Sequence, residues 1–332
     1  MFTLLRTSFL FFILALTASA ASEENISQQA DATPGGKLVV DVDFGTIDVT
    51  AGADNKVAVE AHRKIDFGDE AREKEYFSAT PVTIIKDGNV ITVRARGSKQ
   101  ENRWNFGHSE THGQYTIHVP KKFETDLRTD GGDVTAGEIT GNTTVKTSGG
   151  KLALKHLEGI LVANTSGGTI EVEDCRGPIK IETSGGDITV ADGTGTLEAK
   201  TSGGRIEVRN FSGDTEVKTS GGNLSLHRIT GEIIGKTSGG SIQATIPADV
   251  VGDVKLQTSA GNIDVSLSAT ATVDIDASTS MGEVFSRLPL ETTDVDNEHL
   301  RGKLNGGGKS VKLKTSAGNI TIKPSSSELV SR

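Results

Sequence analysis

Apolar side chains recur along this chain in short alternating pairs, not at helical spacing. Counting Thr129 as position 1 of an 18-residue unit, they occupy positions 6 and 8: Val134/Ala136, Leu152/Leu154, Ile170/Val172, Ile188/Val190, Ile206/Val208, Leu224/Leu226 and Ile242/Ala244. One polar or small residue separates the members of each pair, so each reads as the inward face of a short β-strand. A second alternating pair follows at positions 15 and 17, as in Ile179/Ile181 and Leu197/Ala199. Glycine turns separate these two strands. One is the Gly-Gly of Thr-Asp-Gly-Gly at Thr129 and of Thr-Ser-Gly-Gly at Thr147, Thr165, Thr183, Thr201, Thr219 and Thr237, every step being 18 residues. The other is the glycine at position 13, from Gly141 to Gly231. Both suit corners where the backbone needs a positive φ or a close approach to its neighbour. Position 11 (Ile139, Leu157, Cys175, Phe211, Ile229) adds an apolar side chain expected to plug one end of the cross-section.

A unit with about five inward aliphatic side chains cannot enclose a core by itself. Successive units must stack, position 6 above position 6, each strand in parallel register with its counterpart in the next coil. The prediction is an all-β protein, a single-chain parallel β-solenoid with about 18 residues per coil. Left-handed hexapeptide helices share that coil length but place apolar residues six apart, so right-handed winding is expected. The turn recurs in variant form at Thr258, Thr279 and Thr315, with steps of 21, 21 and 36 residues, so insertions enter only the C-terminal third.

Gly45-Thr46-Ile47-Asp48-Val49 carries the same half-repeat, which places the start of the solenoid near residue 37. Residues 37–128 form its irregular N-terminal part: 68–79 predict one short surface helix, and 81–96 a hairpin about Asp87-Gly88. Residues 129–323 form the regular solenoid with an insertion at 286–308, while 21–36 read as a flexible linker and 324–332 as a tail. Residues 1–20 have the pattern of a secretory signal peptide, with Arg6, an apolar run from Phe9 to Leu16, and Ala18-Ser19-Ala20 before Ala21. That run is too short to span a bilayer. Export to the periplasm or cell surface, with no transmembrane span after cleavage, is expected.

Composition narrows the chemistry. With 40 glycines in 332 residues and only 4% aromatics, an all-helical core is excluded. The lone Cys175 excludes an intramolecular disulfide framework and a thiolate zinc site, and reads as a small buried apolar residue. A net charge of −9 argues against nucleic acid as a partner, because phosphate binders need a positive footprint.

The Gly-x-Ile-x-Val strands, the TSGG or TSAG turns, and Leu304-Asn305-Gly306-Gly307-Gly308 followed by Val311-Lys312-Leu313-Lys314-Thr315-Ser316-Ala317-Gly318-Asn319-Ile320 resemble the bacterial putative-adhesin β-strand-repeat family. The resemblance covers roughly residues 36 to 323. It implies an exported bacterial β-solenoid domain of unknown function, with no catalytic residues to carry over.

Three constellations are candidates for chemistry. The threonine column could order ligands as an exposed hydroxyl array. Parity with positions 15 and 17 instead turns it inward, as a hydroxyl ladder that satisfies turn amides. Position 5 (Asp133, Lys151, Thr169, Asp187, Arg205, Asn223, Ser241) lacks the repeated aspartate of calcium-binding repeats. Outward positions place Lys155 with Glu173, Lys180 with Glu198, Glu182 with Lys200 and Asp187 with Arg205, pairs that help to fix register.

The remaining candidates fall in 98–113. His108, Glu110 and His112 share one face if extended and form a possible metal or ligand contact, against the plainer reading of a solvated polar loop. Trp104, with Arg103 and Phe106, is either an exposed recognition spot or a cap for the N-terminal end of the core. Neither set gives an acid–base or nucleophile arrangement. The sequence reads as an exported non-enzymatic rod without catalytic residues, cofactor or resident metal, its partner a surface glycan or an envelope or matrix protein. The alternative is a glycan-active lyase or hydrolase whose carboxylates come from 286–308 or 98–113.

Overall fold

The computed structural model describes residues 23–66, 68–97, 110–248 and 251–325. Two β-sheets of 14 and 15 strands, sheets A and B, face each other across a core of aliphatic side chains. The N-terminal part contributes β1 (Glu23–Asp31), β2 (Gly36–Val42), β3 (Thr46–Ala51), β4 (Lys56–Asp66), helix α1 (Glu70–Ala79), β5 (Thr83–Asp87), β6 (Val90–Ala95) and β7 (Glu110–Val119). Regular coils then add one strand to each sheet in turn. They run from β8 (Phe123–Thr129) and β9 (Val134–Gly137) through β10 (Thr143–Lys146), β11 (Leu152–Lys155), β12 (Leu161–Asn164), β13 (Ile170–Glu173), β14 (Arg176–Glu182) and β15 (Ile188–Ala191). The series continues with β16 (Thr194–Lys200), β17 (Ile206–Phe211), β18 (Thr215–Lys218), β19 (Leu224–Ile229), β20 (Ile233–Lys236), β21 (Ile242–Ile246), β22 (Val254–Gln257) and β23 (Ile263–Leu267). The C-terminal part holds β24 (Val273–Ser278), β25 (Val284–Ser286), β26 (Glu291–Val295), β27 (His299–Leu304), β28 (Lys309–Lys314) and β29 (Ile320–Pro324).

The register is the one the repeat predicts. Leu152 pairs with Ile170, Ile170 with Ile188 and Ile188 with Ile206, all in parallel, and each is buried. The position-11 side chains are buried too, and Phe211 fills the space above Gly193, where an added Cβ would lie 2.7 Å from its ring. The threonines point inward and bond the coils together. From Thr147 to Thr237 each Oγ1 donates to the carbonyl of a turn glycine in the preceding coil, for example Gly168 O to Thr183 at 2.9 Å and Gly186 O to Thr201 at 3.0 Å. Each also accepts the N–H of the second glycine of its own turn, as Thr183 does from Gly186 at 3.3 Å.

That second glycine is required by close approach. A Cβ on Gly186 would lie 1.9 Å from the Gly168 carbonyl oxygen, whereas the first glycine, Gly185, has 3.8 Å of clearance. At the opposite corner the turn uses positive φ, 131° at Gly159 and 124° at Gly195. A second left-handed column stands at position 10 and contains no glycine: Glu138, His156, Asp174, Asp192, Asn210 and Arg228 have φ between 45° and 62°. Each such residue carries a modest strain, and backbone bonds such as Asp174 N–H to Ala191 O at 3.0 Å hold it in place.

Short Asx side chains add a third ladder. Asp133 accepts from Lys151 N–H at 2.8 Å, Asp187 from Arg205 N–H at 2.7 Å and Asn223 from Ser241 N–H at 2.8 Å. The aspartates at position 5 therefore cap the backbone of the next coil.

At both ends stacking order departs from chain order. The first coil, β2–β3, lies between β6–β7 and β8–β9, and the last, β28–β29, lies between β22–β23 and β24–β25. Antiparallel strands finish three of the four edges, β4 and β1 beyond β7 on sheet A, β5 beyond β6 and β27 with β26 beyond β24 on sheet B, and the parallel β25 beyond β29 finishes the fourth. The predicted helix and hairpin are present, α1 with Asp69 as N-cap and β5–β6 turning at Gly88.

Two expectations are corrected. Within 21–36, read as a flexible linker, β1 pairs with β4 over its whole length; its alternation is carried by Ile26 and Ala30 alone, too few apolar residues to signal a strand. Lys200 does not bridge to Glu182 but to Glu198, two residues back on its own strand, where it shares that carboxylate with Lys180.

Candidate functional site

Of the residues singled out in 98–113, Arg103, Trp104, Phe106 and His108 lie outside the described residues, as does the side chain of Glu110. The backbone of Glu110 opens β7 opposite Asp66, and His112 is exposed opposite Lys64. Among the described residues no group of three His, Cys, Asp or Glu side chains is placed to hold a metal ion.

The described chain before this segment ends in a charged anchor. Arg96, at the end of β6, donates from Nε to Asp41 Oδ1 at 2.8 Å, from both terminal nitrogens to Asp130 at 2.8 and 3.0 Å, and to the Val42 carbonyl at 3.1 Å. Asp43 lies 3.6 Å from Nε and accepts the Gly97 N–H at 2.8 Å. One guanidinium thus ties three stacked coils together at the base of the segment. Burial opposes the charge on Arg96, but the hydrogen bond and charge of Asp130, then Asp41 and Asp43, outweigh it and raise its pKa. Burial raises the pKa of Asp43, against the Gly97 hydrogen bond and the Arg96 charge.

Beside this anchor, α1 covers the N-terminal end of the core. Tyr76 is buried 6.1 Å from Phe44, and burial pushes its hydroxyl up to about 12. Arg63 is fully buried beneath the helix, paired with Glu24 through two nitrogens, bonded to the Thr80 carbonyl at 2.8 Å and stacked 5.0 Å from the Phe77 ring. The described cover of this end is therefore Tyr76, Phe44 and Arg63. Arg63 shares the inward parity of Val57, Val59, Ala61 and Ile65 on β4, a signal the sequence reading left unused; Glu24 from β1 and the Thr80 carbonyl beyond α1 supply the partners that let a guanidinium stay buried there.

The second irregular segment, 286–308, is mostly hairpin, β26–β27, and adds Arg301 and Lys303 to the outer face of sheet B. Near it Met281, Phe285 and Val295 are exposed apolar side chains. From β11 to β18 many outer charged residues are paired with each other, among them Lys155 with Glu173 at 2.7 Å, Lys180 with Glu198 at 2.9 Å and Arg205 with Asp187 at 3.5 Å. Hydrogen bonds from Lys200 and Lys180 hold Glu198 down to about 2. Cys175 is buried, and desolvation raises its thiol to about 11, so it is an inert core residue.

No helix among the described residues is long and apolar enough to cross a membrane. No curated protein matches the chain. Similar solved structures include a putative cell adhesion protein from Clostridium sporogenes ATCC 15579, with 12% identity over 91% of this chain and 100% of that one and a TM-score of 0.22. Another is a putative adhesin from Bacteroides fragilis NCTC 9343, with 15% identity over 91% of this chain and 97% of that one and a TM-score of 0.34. The pattern that defines the Toastrack DUF4097 family matches residues 36–323, and the chain belongs to that family.

Proposed function

We propose that this Toastrack DUF4097 protein is an exported, non-enzymatic binding rod of the cell envelope, an adhesin-like or structural component whose recognition surfaces lie at its two irregular ends. The observation that carries this reading is how the coils use their polar side chains. Threonines bond to turn carbonyls, Asx residues cap the next coil, and from β11 to β18 most outward Lys and Glu pair with each other, so this part of the stack is a scaffold. Departures from the repeat gather at 98–113, anchored by Arg96, and at 286–308. Loops and insertions held on a rigid scaffold are where recognition concentrates. The leader-like pattern of residues 1–20 supports export.

An array of glycans and matrix proteins probed with the full chain tests this. Binding is expected, and replacing 98–109 by a Gly-Ser linker or changing outward residues of the 286–308 hairpin should weaken it while the β-rich circular dichroism spectrum persists. A chain that binds nothing on the array, or that turns over a polysaccharide and loses the activity with one carboxylate, overturns the reading.

A further inference from the structure

The outer face of sheet B changes character toward its C-terminal end. In β16 and β18 each outward lysine has its own carboxylate two residues earlier, Glu198 for Lys200 and Glu216 for Lys218. In β20 that glutamate is replaced by Ile234, which leaves Lys236. In β22 and β28 it is replaced by lysines, giving Lys255-Leu256-Gln257 and Lys312-Leu313-Lys314. Register places Lys255 directly beside Lys312, and Gln257 beside Lys314. Adjacent strands lie about 4.8 Å apart, so like charges stand side by side. None of Lys236, Lys255, Lys312 and Lys314 forms an ion pair among the described residues, unlike the Lys180, Lys200 and Lys218 of the preceding coils.

Carboxylates gather on the far side of this patch: Asp276 is the other register neighbour of Lys312, Arg301 lies between Asp276 and Asp294, and Lys303 between Asp274 and Glu291. Asp253 accepts the Ser310 N–H at 3.0 Å, Asp274 accepts the Gly308 N–H at 3.1 Å, and Asp276 pairs with Arg301 at 3.4 Å. A groove of about 260 Å³ continues from Lys312 to Arg301 and Lys303, with the Thr293 and Ser310 hydroxyls and the two aspartates in its wall. Like charges opposite each other in a sheet destabilise it, and an acidic chain of net charge −9 has carboxylates to spare. Violations of local pairing rules of this kind mark functional surfaces.

We propose that Lys236, Lys255, Lys312 and Lys314 form a binding surface for a linear acidic polysaccharide lying along the rod axis. This rests on the binding-rod reading and names its ligand class at the C-terminal end. The lysines meet sugar carboxylates, while Asp274, Asp276, Thr293 and Ser310 accept or share hydrogen bonds with sugar hydroxyls in the groove. A lipid surface fits less well, because the outward neighbours of the lysines are Gln257, Asp276, Ser278 and Ser310 with the single, half-buried Ile234, one apolar side chain and a carboxylate where insertion needs an apolar cluster. Single-stranded nucleic acid would call for stacking rings, and β20, β22, β24 and β28 present none outward.

The test measures binding of the full chain to polygalacturonate, neutral dextran, duplex and single-stranded DNA, and vesicles of anionic phospholipid. Polygalacturonate is expected to bind in a salt-sensitive way and neutral dextran not at all. The Lys255→Gln/Lys312→Gln/Lys314→Gln variant should bind polygalacturonate at least about tenfold more weakly, with no fall in Tm, because neutralising adjacent like charges relieves repulsion. A control with the same charge change, Lys151→Gln/Lys155→Gln/Lys180→Gln, removes lysines held in ion pairs and should stay within about twofold of wild type. Equal weakening in both variants, or binding to DNA or vesicles but not to polygalacturonate, overturns the proposal. If the chain binds its array ligand while polygalacturonate fails, this inference falls and the binding-rod reading stands; binding to nothing overturns both.

Discussion

From β10 to β23 each coil rests on the coil before it in the chain, whereas at both ends the terminal coil of the chain is sandwiched between two others. Both regions use the same inter-coil bonds. Thr183 donates to Gly168 of the preceding coil; near the C-terminus Thr315 donates to Gly261 and Thr279 to Gly318, which reports the reversed stacking directly. Coils of equal cross-section are thus interchangeable as stacking partners, and chain order is imposed only where the link between coils is too short to skip a layer. Three of the four sheet ends also finish in antiparallel strands, which cannot carry the parallel ladder further, while sheet A ends at its C-terminal side in the short parallel β25. In the middle, stability is a sum of identical interfaces; at the ends it depends on individual residues such as Arg63 and Arg96.

The largest effect should come from placing charge in the shared core. Ile188→Asp buries a carboxylate between Ile170 and Ile206 and is expected to cost about 4 kcal/mol or more. Thr189→Lys, one residue on, faces outward between Glu171 and Glu207 and should change stability by no more than about 0.5 kcal/mol. Urea unfolding that gives equal losses would contradict the assigned faces. The adjacent turn glycines sharpen the point further. Gly186→Ala drives a Cβ into the Gly168 carbonyl and should cost about 3 kcal/mol, whereas Gly185→Ala should be neutral or mildly stabilising; thermal melts of the two variants decide it.

The threonine ladder separates middle from end. Thr183→Val removes an inter-coil bond of 2.9 Å and leaves the Gly186 N–H without its acceptor, an expected loss of about 1 to 3 kcal/mol. Thr129 at the N-terminal junction makes a longer bond, 3.3 Å to Gly45 O, and Thr129→Val should cost less. A larger loss at Thr129 in denaturant titrations would show that the junction, not the regular stack, depends more on its hydroxyl.

Titration provides the smallest and most discriminating contrast, because acid acts in opposite directions on the two regions. The pKa of Glu198 is lowered to about 2, chiefly by hydrogen bonds from Lys200 and Lys180. Its contribution is therefore present above the unfolded value of about 4.3 and lost as pH falls toward 2. Solvent screening limits it to less than about 1 kcal/mol. Asp43 is raised by burial, so its contribution is full below the unfolded value near about 3.9 and is lost as pH rises through the folded one. Glu198→Gln should differ from wild type at pH 7 and converge with it near pH 2, while Asp43→Asn should be no less stable than wild type at pH 7. Denaturant midpoints across that range check both signs.

The amino-acid sequence by itself determined the coil. A side-chain period of 2 inside a unit of 18 leaves one arrangement that buries every Ile, Val and Leu pair, and the register, the inward threonines and the glycine corners follow from it. Local signals likewise sufficed for α1 and for the β5–β6 hairpin at Gly88. Only the tertiary structure decided what lies beside what once the repeat breaks. The intercalated end coils, β1 on the edge of β4, Arg63 buried under α1, Arg96 among three aspartates and Lys255 beside Lys312 all join residues tens of positions apart with no fixed spacing between them. The left-handed column at position 10 escaped for a related reason: it carries Glu, His, Asp, Asn and Arg in place of glycine, and hydrogen bonds from the neighbouring coil, not local preference, hold it there.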